Sequence, residues 1–476
     1  MKCRLYKMVG LRALFVKKLF DASGFDVSLP KSWGRVWTDR AVFFGLLIQT
    51  WQVFVGPVTV LLIARCLTRE TQGYYFLFGS ILGFQVFLEM GFSTTLVYIC
   101  SHEWAHLQFD TAGRVIGDPK ALARLVSLGR LVFKWYAVAS CFFVTGIGLG
   151  GYLFLNSSSH YNIHWENPWL AVVVVTGMLF WTAPFIAMLE GCNQIAVTNR
   201  FRLFQAILTT FVLWLILFFG GGLWALLASA CSRLACNVYL FFIRYGRFFE
   251  LFWKFSNGHK ISWKNEVWPL QWRTGISQIV SYFAGNLFTP VIFHYHGAAI
   301  AGQMGMTWSL LGMLQLAALV WITTRSPRFG MLIARKEYAE LDRLFVITCI
   351  ASMVTFFIGA FIFWGVISIL YNMGYPIASR FLLPFPTALL LIAVMLLTLA
   401  TCESIYLHAH KRMPIAVLLP PVIINLGSGC TVWILGSRFG VTGAASGYLG
   451  IMIVFVIVQT IVWKRCRNKW HKEEIA

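Results

Sequence analysis

Residues 41–64 read AVFFGLLIQTWQVFVGPVTVLLIA, a run of 24 residues without a single charged side chain. A helix needs about 20 predominantly apolar residues to cross the hydrocarbon core of a bilayer. Arg40 and Arg65 stand directly on either side of the run. The stretch therefore predicts a transmembrane helix whose charged flanks lie at the two membrane surfaces.

Eleven further apolar runs follow along the 476-residue chain. Hydrophobic residues make up 58% of the sequence and charged residues 12%, which leaves too little polar surface for a soluble fold of this size. We therefore predict an all-α polytopic membrane protein with 12 transmembrane helices. The predicted spans cover residues 41–64, 73–100, 131–155, 168–188, 203–220, 223–243, 274–296, 302–323, 344–371, 381–407, 413–435 and 441–463.

Lysine and arginine residues predict how the chain is threaded, because they concentrate in cytoplasmic loops. Of the 39 basic residues, 34 fall on one side of the predicted spans. Arg65, Arg69, Arg380 and Arg438 fall on the other side, and Arg233 lies within a span. This alternation predicts a multi-pass membrane protein with both termini in the cytoplasm. It also accounts for the net charge of +21, so we predict no nucleic-acid partner.

The residues that usually carry catalysis or bind metals are not grouped in this sequence. The 11 cysteines are scattered singly, mostly inside apolar runs, and no CxxC pair or zinc spacing occurs. No nucleotide-binding loop or nucleophile–base pair is present either. We therefore predict no metal site, no cofactor and no catalytic residue, and expect that the protein is not an enzyme.

The sequence divides into two similar halves. An ungapped offset of 229 residues aligns Gln49 with Gln278, Phe54 with Phe283, Gly56 with Gly285 and Gly73 with Gly302. Six spans per half is an even number, so both halves begin on the same side and form a parallel repeat of two six-helix lobes. The predicted parts are an N-terminal basic segment 1–40, a lobe 41–243, a linker 244–273, a lobe 274–463 and a tail 464–476.

Three stretches of the first half carry a resemblance to a known family. They are Ala64-Arg65-Cys66-Leu67 followed by Gly73-Tyr74-Tyr75, then Glu89-Met90-Gly91-Phe92-Ser93, then Glu190-Gly191-Cys192-Asn193-Gln194. Together they resemble the O-antigen and polysaccharide flippase family. The resemblance implies the fold of the multidrug/oligosaccharidyl-lipid/polysaccharide exporter superfamily, in which two lobes form a V around a central cavity.

The resemblance also implies a location in the bacterial inner membrane and an activity. A member of this family flips an undecaprenyl-diphosphate-linked sugar unit from the cytoplasmic to the periplasmic leaflet. The implied partners are the lipid-linked oligosaccharide, membrane lipids and polysaccharide assembly proteins. The acidic position of the second motif implies a coupling role for Glu89.

Two arginines are candidates for contact with a diphosphate, since guanidinium groups bind phosphate through paired donors. Arg233 lies near the middle of the sixth predicted span, where an ionisable residue is costly and indicates function. Its alternative role is an ion pair with an inward-facing carboxylate such as Glu89. Arg65 would attract the diphosphate at the outer mouth, or else snorkel to lipid headgroups.

Polar residues in the spans are candidates for contact with sugar or for coupling. Gln49, Gln278 and Asn286 could hydrogen-bond sugar hydroxyls in a cavity, or join helices at about 0.6–2 kcal/mol per bond. His294 closes the seventh span, and a proton-coupled cycle would use a group that titrates near neutrality. The Gly56-Pro57 pair interrupts the first span and predicts a hinge.

Two other functions fit parts of the pattern. An exporter of drugs or of another polyprenyl-linked lipid would share the fold, but a cationic drug would favour an acidic, aromatic cavity. A membrane polysaccharide polymerase, ligase or acyltransferase would need a long outer loop or clustered Arg, His and acidic residues. The longest predicted outer connection, residues 156–168, contains no lysine or arginine.

Overall fold

The computed structural model describes residues 40–110, 114–158, 163–254, 262–410 and 415–475. The predicted N-terminal segment lies outside these ranges except for Arg40. Within the described ranges the only strands are Leu107–Phe109 and Val115–Gly117, which pair antiparallel in one hairpin. All other regular structure in this part of the chain is helical.

In the described ranges, twelve helical segments cross the bundle, and we number them as spans 1 to 12 in chain order. Nine of the described helices are long and apolar enough to cross a membrane. The bent pair Arg69–Glu89 and Phe92–Trp104, with an angle of 44°, forms a tenth crossing. The long helix Ile415–Ile475 contains two spans, which adds an eleventh. The broken helix Trp268–Gly285 with Phe288–His296 forms the twelfth. The predicted fold class is therefore confirmed.

The spans have the following bounds. Spans 1 to 6 are Arg40–Cys66; Arg69–Leu82 with Gln85–Glu89 and Phe92–Trp104; Pro119–Phe142 continuing through a π-helical turn Phe143–Ile147 into Gly148–Ser158; Glu166–Gly191; Ile195–Phe218; and Trp224–Val238 with a π-helical turn Tyr239–Arg244. Spans 7 to 10 are Trp268–Gly285 with Phe288–His296, Ala298–Thr323, Tyr338–Asn372 and Pro384–Ala409. Spans 11 and 12 share the helix Ile415–Ile475, divided at Gly440.

Short elements connect the spans. Helix Gly246–Lys254 and the π-helical turn Trp263–Val267 lie in the predicted linker, helix Ser326–Ala334 follows span 8, and a 3-10 turn Pro376–Arg380 precedes span 10. The helix of span 12 runs through Ile475, past the start of the predicted tail. There Arg467 forms an ion pair of 2.7 Å with Asp342, at the start of span 9.

Span 2 breaks at the acidic motif that the sequence singled out. Met90 and Gly91 follow Glu89 and have φ angles of 47° and 66°, both left-handed, so the helix cannot continue through them. A Cβ atom on Gly275 of span 7 would lie 3.0 Å from the Cβ of Met90. The missing side chain of Gly275 thus lets span 7 pack directly against this break.

Span 1 is continuous where the sequence predicted a hinge. The helix Arg40–Cys66 runs through Gly56 and Pro57 without interruption. The repeat-equivalent glycine, Gly285, instead ends the first helix of span 7, and Asn286 caps it. The two halves therefore differ at this position, and a hinge at Pro57 stays a prediction.

The repeat is visible in how the lobes pack. A Cβ on Gly73 of span 2 would lie 2.0 Å from the carbonyl oxygen of Ala298, and one on Gly302 of span 8 would lie 3.1 Å from the carbonyl oxygen of Arg69. The 229-residue offset converts the first contact into the second. Such reciprocal contacts are the property of a two-fold interface. The backbones of spans 2 and 8 therefore cross on the axis that relates the two lobes.

The lobes are packed together at the end of the bundle that carries Arg65, which we call the outer end, following the charge prediction. An apolar cluster there, the outer plug, takes residues from both halves and is buried. It consists of Val60, Ile63, Ala64, Leu67, Leu217, Ala225, Met306, Ile367 and Phe381. The outer plug closes the outer end of the seam between the lobes.

Candidate functional site

Arg233 projects toward the interior of the bundle. On the helix of span 6, Trp224, Cys231, Ala235 and Val238 are exposed and share one face, as expected of positions that contact lipid. Arg233 stands two residues from Cys231 and therefore about 200° around the helix. It is nevertheless also exposed. The guanidinium thus borders an open space on the side of span 6 that faces away from lipid.

A chain of polar side chains, buried at Asn237 and Thr182, supports the backbone at Arg233. The Nε2 of Gln205 on span 5 donates to the carbonyl oxygen of Arg233 at 3.1 Å and to Oδ1 of Asn237 at 2.8 Å. The Nδ2 of Asn237 in turn donates to Oγ1 of Thr182 on span 4, also at 2.8 Å. Spans 4, 5 and 6 are therefore joined by hydrogen bonds at the depth of the arginine.

The guanidinium of Arg233 itself has no hydrogen-bond or ion-pair partner among the described residues. The alternative role, an ion pair with Glu89, is not formed in this structure. Glu89 lies instead at the break of span 2, half-buried and close to the phenol of Tyr136. Arg233 is thus available to an anion that enters the space between the lobes.

The predicted polar residues lie at different depths along the lobes. Gln49 is half-buried on span 1, and its Oε1 is buried without a hydrogen-bond partner within the described ranges. Gln278 is half-buried on the first helix of span 7. Asn286 is exposed at the break of span 7, where its backbone N–H donates to the carbonyl oxygen of Tyr282. No described contact joins these three side chains, so their contact with sugar stays a prediction.

His294 lies at the outer end of span 7. Its side chain is exposed, and its ring centroid is 5.8 Å from that of Phe154 on span 3. The neighbouring His296 turns the other way, with Nε2 at 2.7 Å from the carbonyl oxygen of Gly436. His294 is therefore the more accessible of the two rings to protons from the outer side.

Arg65 borders a cavity at the outer end. The cavity has a volume of about 460 Å³. Its lining comes from both halves of the chain and consists of Ala64, Arg65, Arg69, Tyr375, Pro376, Ile377, Ser379 and Arg380. Arg65 thus faces a defined space together with two other arginines, and it is separated from Arg233 by the length of half a span.

An ionic group joins elements at the opposite, inner end. Arg124 of span 3 contacts Glu103 of span 2 at 2.7 Å and Glu266, in the turn before span 7, at 2.5 Å. A hydrogen bond from the backbone N–H of Ser262 and the charge of Arg124 lower the pKa of Glu266. This group, which we call the inner clamp, ties the start of the second half to the first lobe.

Sequence reasoning missed the polar chain of Gln205, Asn237 and Thr182. One signal was present: Asn237 is four residues after Arg233, so both project from the same face of span 6. The arginines beside Arg65 were also missed as a group, because Arg69 and Arg380 are 311 positions apart in the chain. Only the packing of the two lobes brings them to one cavity.

The described chain thus forms twelve spans in two lobes that are related by a parallel repeat and packed along a seam. No protein-family model and no curated protein matches this chain by sequence. Solved structures do match it by fold.

One similar structure is the lipid II flippase MurJ in an inward closed conformation, with a TM-score of 0.62 and 14% identity over 88% of this chain and 87% of that chain. An inward-facing multidrug resistance MATE family transporter of the MOP superfamily has a TM-score of 0.60 and 10% identity, over 89% and 95% of the two chains. The MATE transporter VcmN of Vibrio cholerae has a TM-score of 0.54 and 13% identity, over 90% and 98%. These neighbours are transporters, and at such identities the likeness shows the fold.

Proposed function

We propose that the protein flips an undecaprenyl-diphosphate-linked oligosaccharide, the unit of O-antigen or another surface polysaccharide, from the cytoplasmic to the periplasmic leaflet. The observation that supports this most is Arg233, an exposed guanidinium without a partner in the described chain, halfway along an interior face. The fold shared with a lipid II flippase is compatible with a lipid-linked substrate.

The sign of the charge favours an anionic substrate over a cationic drug. Placing an arginine at the centre of a membrane helix costs roughly 2.5–3.5 kcal/mol on insertion scales. A diphosphate offsets that cost through charge-assisted hydrogen bonds, whereas a cation in the same space is repelled. The polar chain beneath Arg233 holds its backbone in place, so the charge is positioned before the substrate arrives.

In our proposal the outer plug sets the side from which substrate enters. Both lobes contribute residues to the outer plug, and we infer that this contact separates Arg233 from the outer side. In our proposal the sugar unit enters from the cytoplasmic side and the lobes then separate at the outer plug. Glu89 and His294 are the groups we propose for coupling this motion to protons or cations.

The decisive experiment locates the lipid-linked unit in a deletion strain of the native host. We expect loss of surface polysaccharide and accumulation of the lipid-linked unit in the cytoplasmic leaflet. Wild-type protein and Arg438→Ala should restore the polysaccharide, since Arg438 is an exposed residue that does not line the cavity beside Arg65. Arg233→Ala should restore it poorly at equal expression, and Arg233→Lys should restore it in part.

Two outcomes would contradict the proposal. If the single unit reaches the periplasmic leaflet normally in the deletion strain, the protein acts after flipping, as a polymerase or ligase would. If polysaccharide is unaffected but cells lose efflux of a cationic dye, the protein is a multidrug exporter.

A further inference from the structure

The outer cavity straddles the seam between the lobes. Arg65 ends span 1 and Arg69 begins span 2, so both belong to the first lobe. Arg380 ends the 3-10 turn that precedes span 10 and belongs to the second. Arg65 and Arg69 are exposed, and Arg380 is half-buried. Arginines from both lobes therefore line one open cavity of about 460 Å³.

The turn that carries Arg380 is held in place from both sides of the seam. Gln72 of the first lobe is only 1% exposed, and its Nε2 donates to the carbonyl oxygens of Arg380 at 3.2 Å and of Gly302 at 2.8 Å. From the second lobe, Nε2 of Gln303 donates to the carbonyl oxygen of Ser379 at 2.9 Å. The guanidinium of Arg380 also lies near Gln72, with Nη1 at 3.5 Å from Oε1. The backbone at Arg380 is thus held in place, which lowers the conformational entropy lost when a ligand binds this residue.

The three positive charges have one carboxylate nearby, that of Glu70, which follows Arg69 in the first turn of span 2. No carboxylate lies within ion-pair distance of Arg65, Arg69 or Arg380 in the described part of the chain. Burial and the neighbouring charge of Arg69 lower the pKa of Arg380, with Glu70 acting weakly in the opposite direction. Like charges gathered in one cavity repel each other and so favour a bound anion.

We propose that this cavity binds a phosphate-type anion and that the bound anion holds the outer ends of the lobes together. An anion that contacts Arg65 or Arg69 and also Arg380 binds well only while the two lobes are closed at the outer end. By linkage it stabilises that conformation by its difference in affinity for the closed and open forms. The anion has two possible sources, the diphosphate of the carrier lipid and the phosphate headgroup of an anionic membrane lipid. For the first source, this inference deepens the proposed function and rests on it.

Binding can be measured with inorganic pyrophosphate on the purified full-length protein in neutral detergent. At constant ionic strength, set with sodium chloride, we expect a saturable rise in the unfolding temperature, because the ligand binds the folded state alone. Arg380→Gln and Arg69→Gln should each raise the dissociation constant for pyrophosphate by about tenfold or more. Arg438→Gln, which removes an outer arginine away from the cavity, should bind as the wild type does.

The conformational part needs a distance measurement. Spin labels at Phe219→Cys and Met373→Cys, exposed outer positions in the two halves, would be placed in a chain whose 11 native cysteines are replaced. Pyrophosphate should shift the distance distribution toward the closed form in this chain and leave it unchanged when Arg380→Gln is added. If pyrophosphate binds but the distance distribution does not change, the bound anion does not hold the outer ends of the lobes together, and this part of the proposal is overturned.

Lipid nanodiscs distinguish the two sources. If pyrophosphate binds about tenfold more weakly in phosphatidylglycerol discs than in phosphatidylcholine discs, headgroups occupy the cavity; equal affinity in both indicates a site selective for diphosphate. No saturable effect, or the same effect in wild type, Arg380→Gln and Arg69→Gln, would overturn the proposal. Pyrophosphate binding does not depend on transport, so a failure here leaves the flippase proposal standing, and a failed transport assay leaves this binding result standing.

Discussion

The amide of Asn237 is satisfied by polar side chains of neighbouring spans, whereas the guanidinium of Arg233 on the same helix face has no partner among the described residues. Asn237 accepts from Gln205 and donates to Thr182, so each amide group of Asn237 has a partner on a neighbouring helix. Membrane helices gain little from apolar contact with one another, since lipid is equally apolar. Hydrogen bonds of this kind therefore set how spans 4, 5 and 6 fit together around the arginine.

Replacing Asn237 tests this at the scale of a single residue. Asn237→Ala removes two interhelical hydrogen bonds and leaves Gln205 and Thr182 without these partners, so we expect a loss of about 1–3 kcal/mol in unfolding free energy. Thermal unfolding in detergent measures it. Ser232→Ala is the matched control on the same helix, because that hydroxyl donates only to the carbonyl oxygen of Ser229. Equal stability of the two variants would show that the polar chain carries no stabilising role.

At the scale of elements, close approach of helices depends on a few glycines. Spans 2 and 8 cross through Gly73 and Gly302, where added Cβ atoms would meet backbone at 2.0 Å and 2.9 Å. Backbone atoms cannot move aside as the end of a flexible side chain can. The crossing at the two-fold axis therefore tolerates no side chain at either position.

Gly73→Ala should separate the lobes at their crossing. We expect a lower unfolding temperature and faster labelling of Cys66, which packs beside the outer plug, by a small maleimide. Gly79→Ala is a matched control on the same helix, since a Cβ there meets nothing within 4 Å and alanine favours the helix by up to about 1 kcal/mol. If both variants behave alike, the crossing is not a tight contact.

At the scale of the whole molecule, the two halves are joined by one apolar contact and one ionic contact. The outer plug is apolar and formed by both lobes, whereas the inner clamp is ionic and formed by Arg124, Glu103 and Glu266. The pKa of Glu266 is lower in the folded protein than its ordinary value. The stabilisation it provides is present above the unfolded pKa of about 4.3 and is lost as pH falls through the folded value.

Removing this carboxylate should remove that pH dependence. The unfolding temperature of the wild type should exceed that of Glu266→Gln at pH 7, and the difference should vanish as pH falls through the lowered pKa of the folded protein. Both groups are about one-third exposed, so we expect a small difference that high salt reduces further. Glu337→Gln, at an exposed position between spans 8 and 9, controls for general charge effects. A difference that stays constant with pH would contradict the clamp.

The candidate site was only partly predictable. Arg233 was identified because a charge inside an apolar run is conspicuous in the sequence. Its alternative partner, Glu89, could not be judged from the sequence, since whether two side chains on different spans meet depends on helix rotation and tilt. Likewise Gly56-Pro57 and Gly285 look equivalent in the alignment, yet span 1 runs on through Pro57 and span 7 breaks at Asn286.

The sequence by itself determined the helical class, the count of 12 spans and the two-fold repeat. Each of these follows from hydropathy and spacing along the chain, which are local properties read against a bilayer of known thickness. The tertiary structure alone decided that Gln72 meets Arg380 across 308 positions, that repeat-equivalent glycines cross on the axis, and that three arginines share one outer cavity. Such contacts depend on how packed helices are rotated against each other, and in a membrane that is set by side-chain fit and polar pairing between spans.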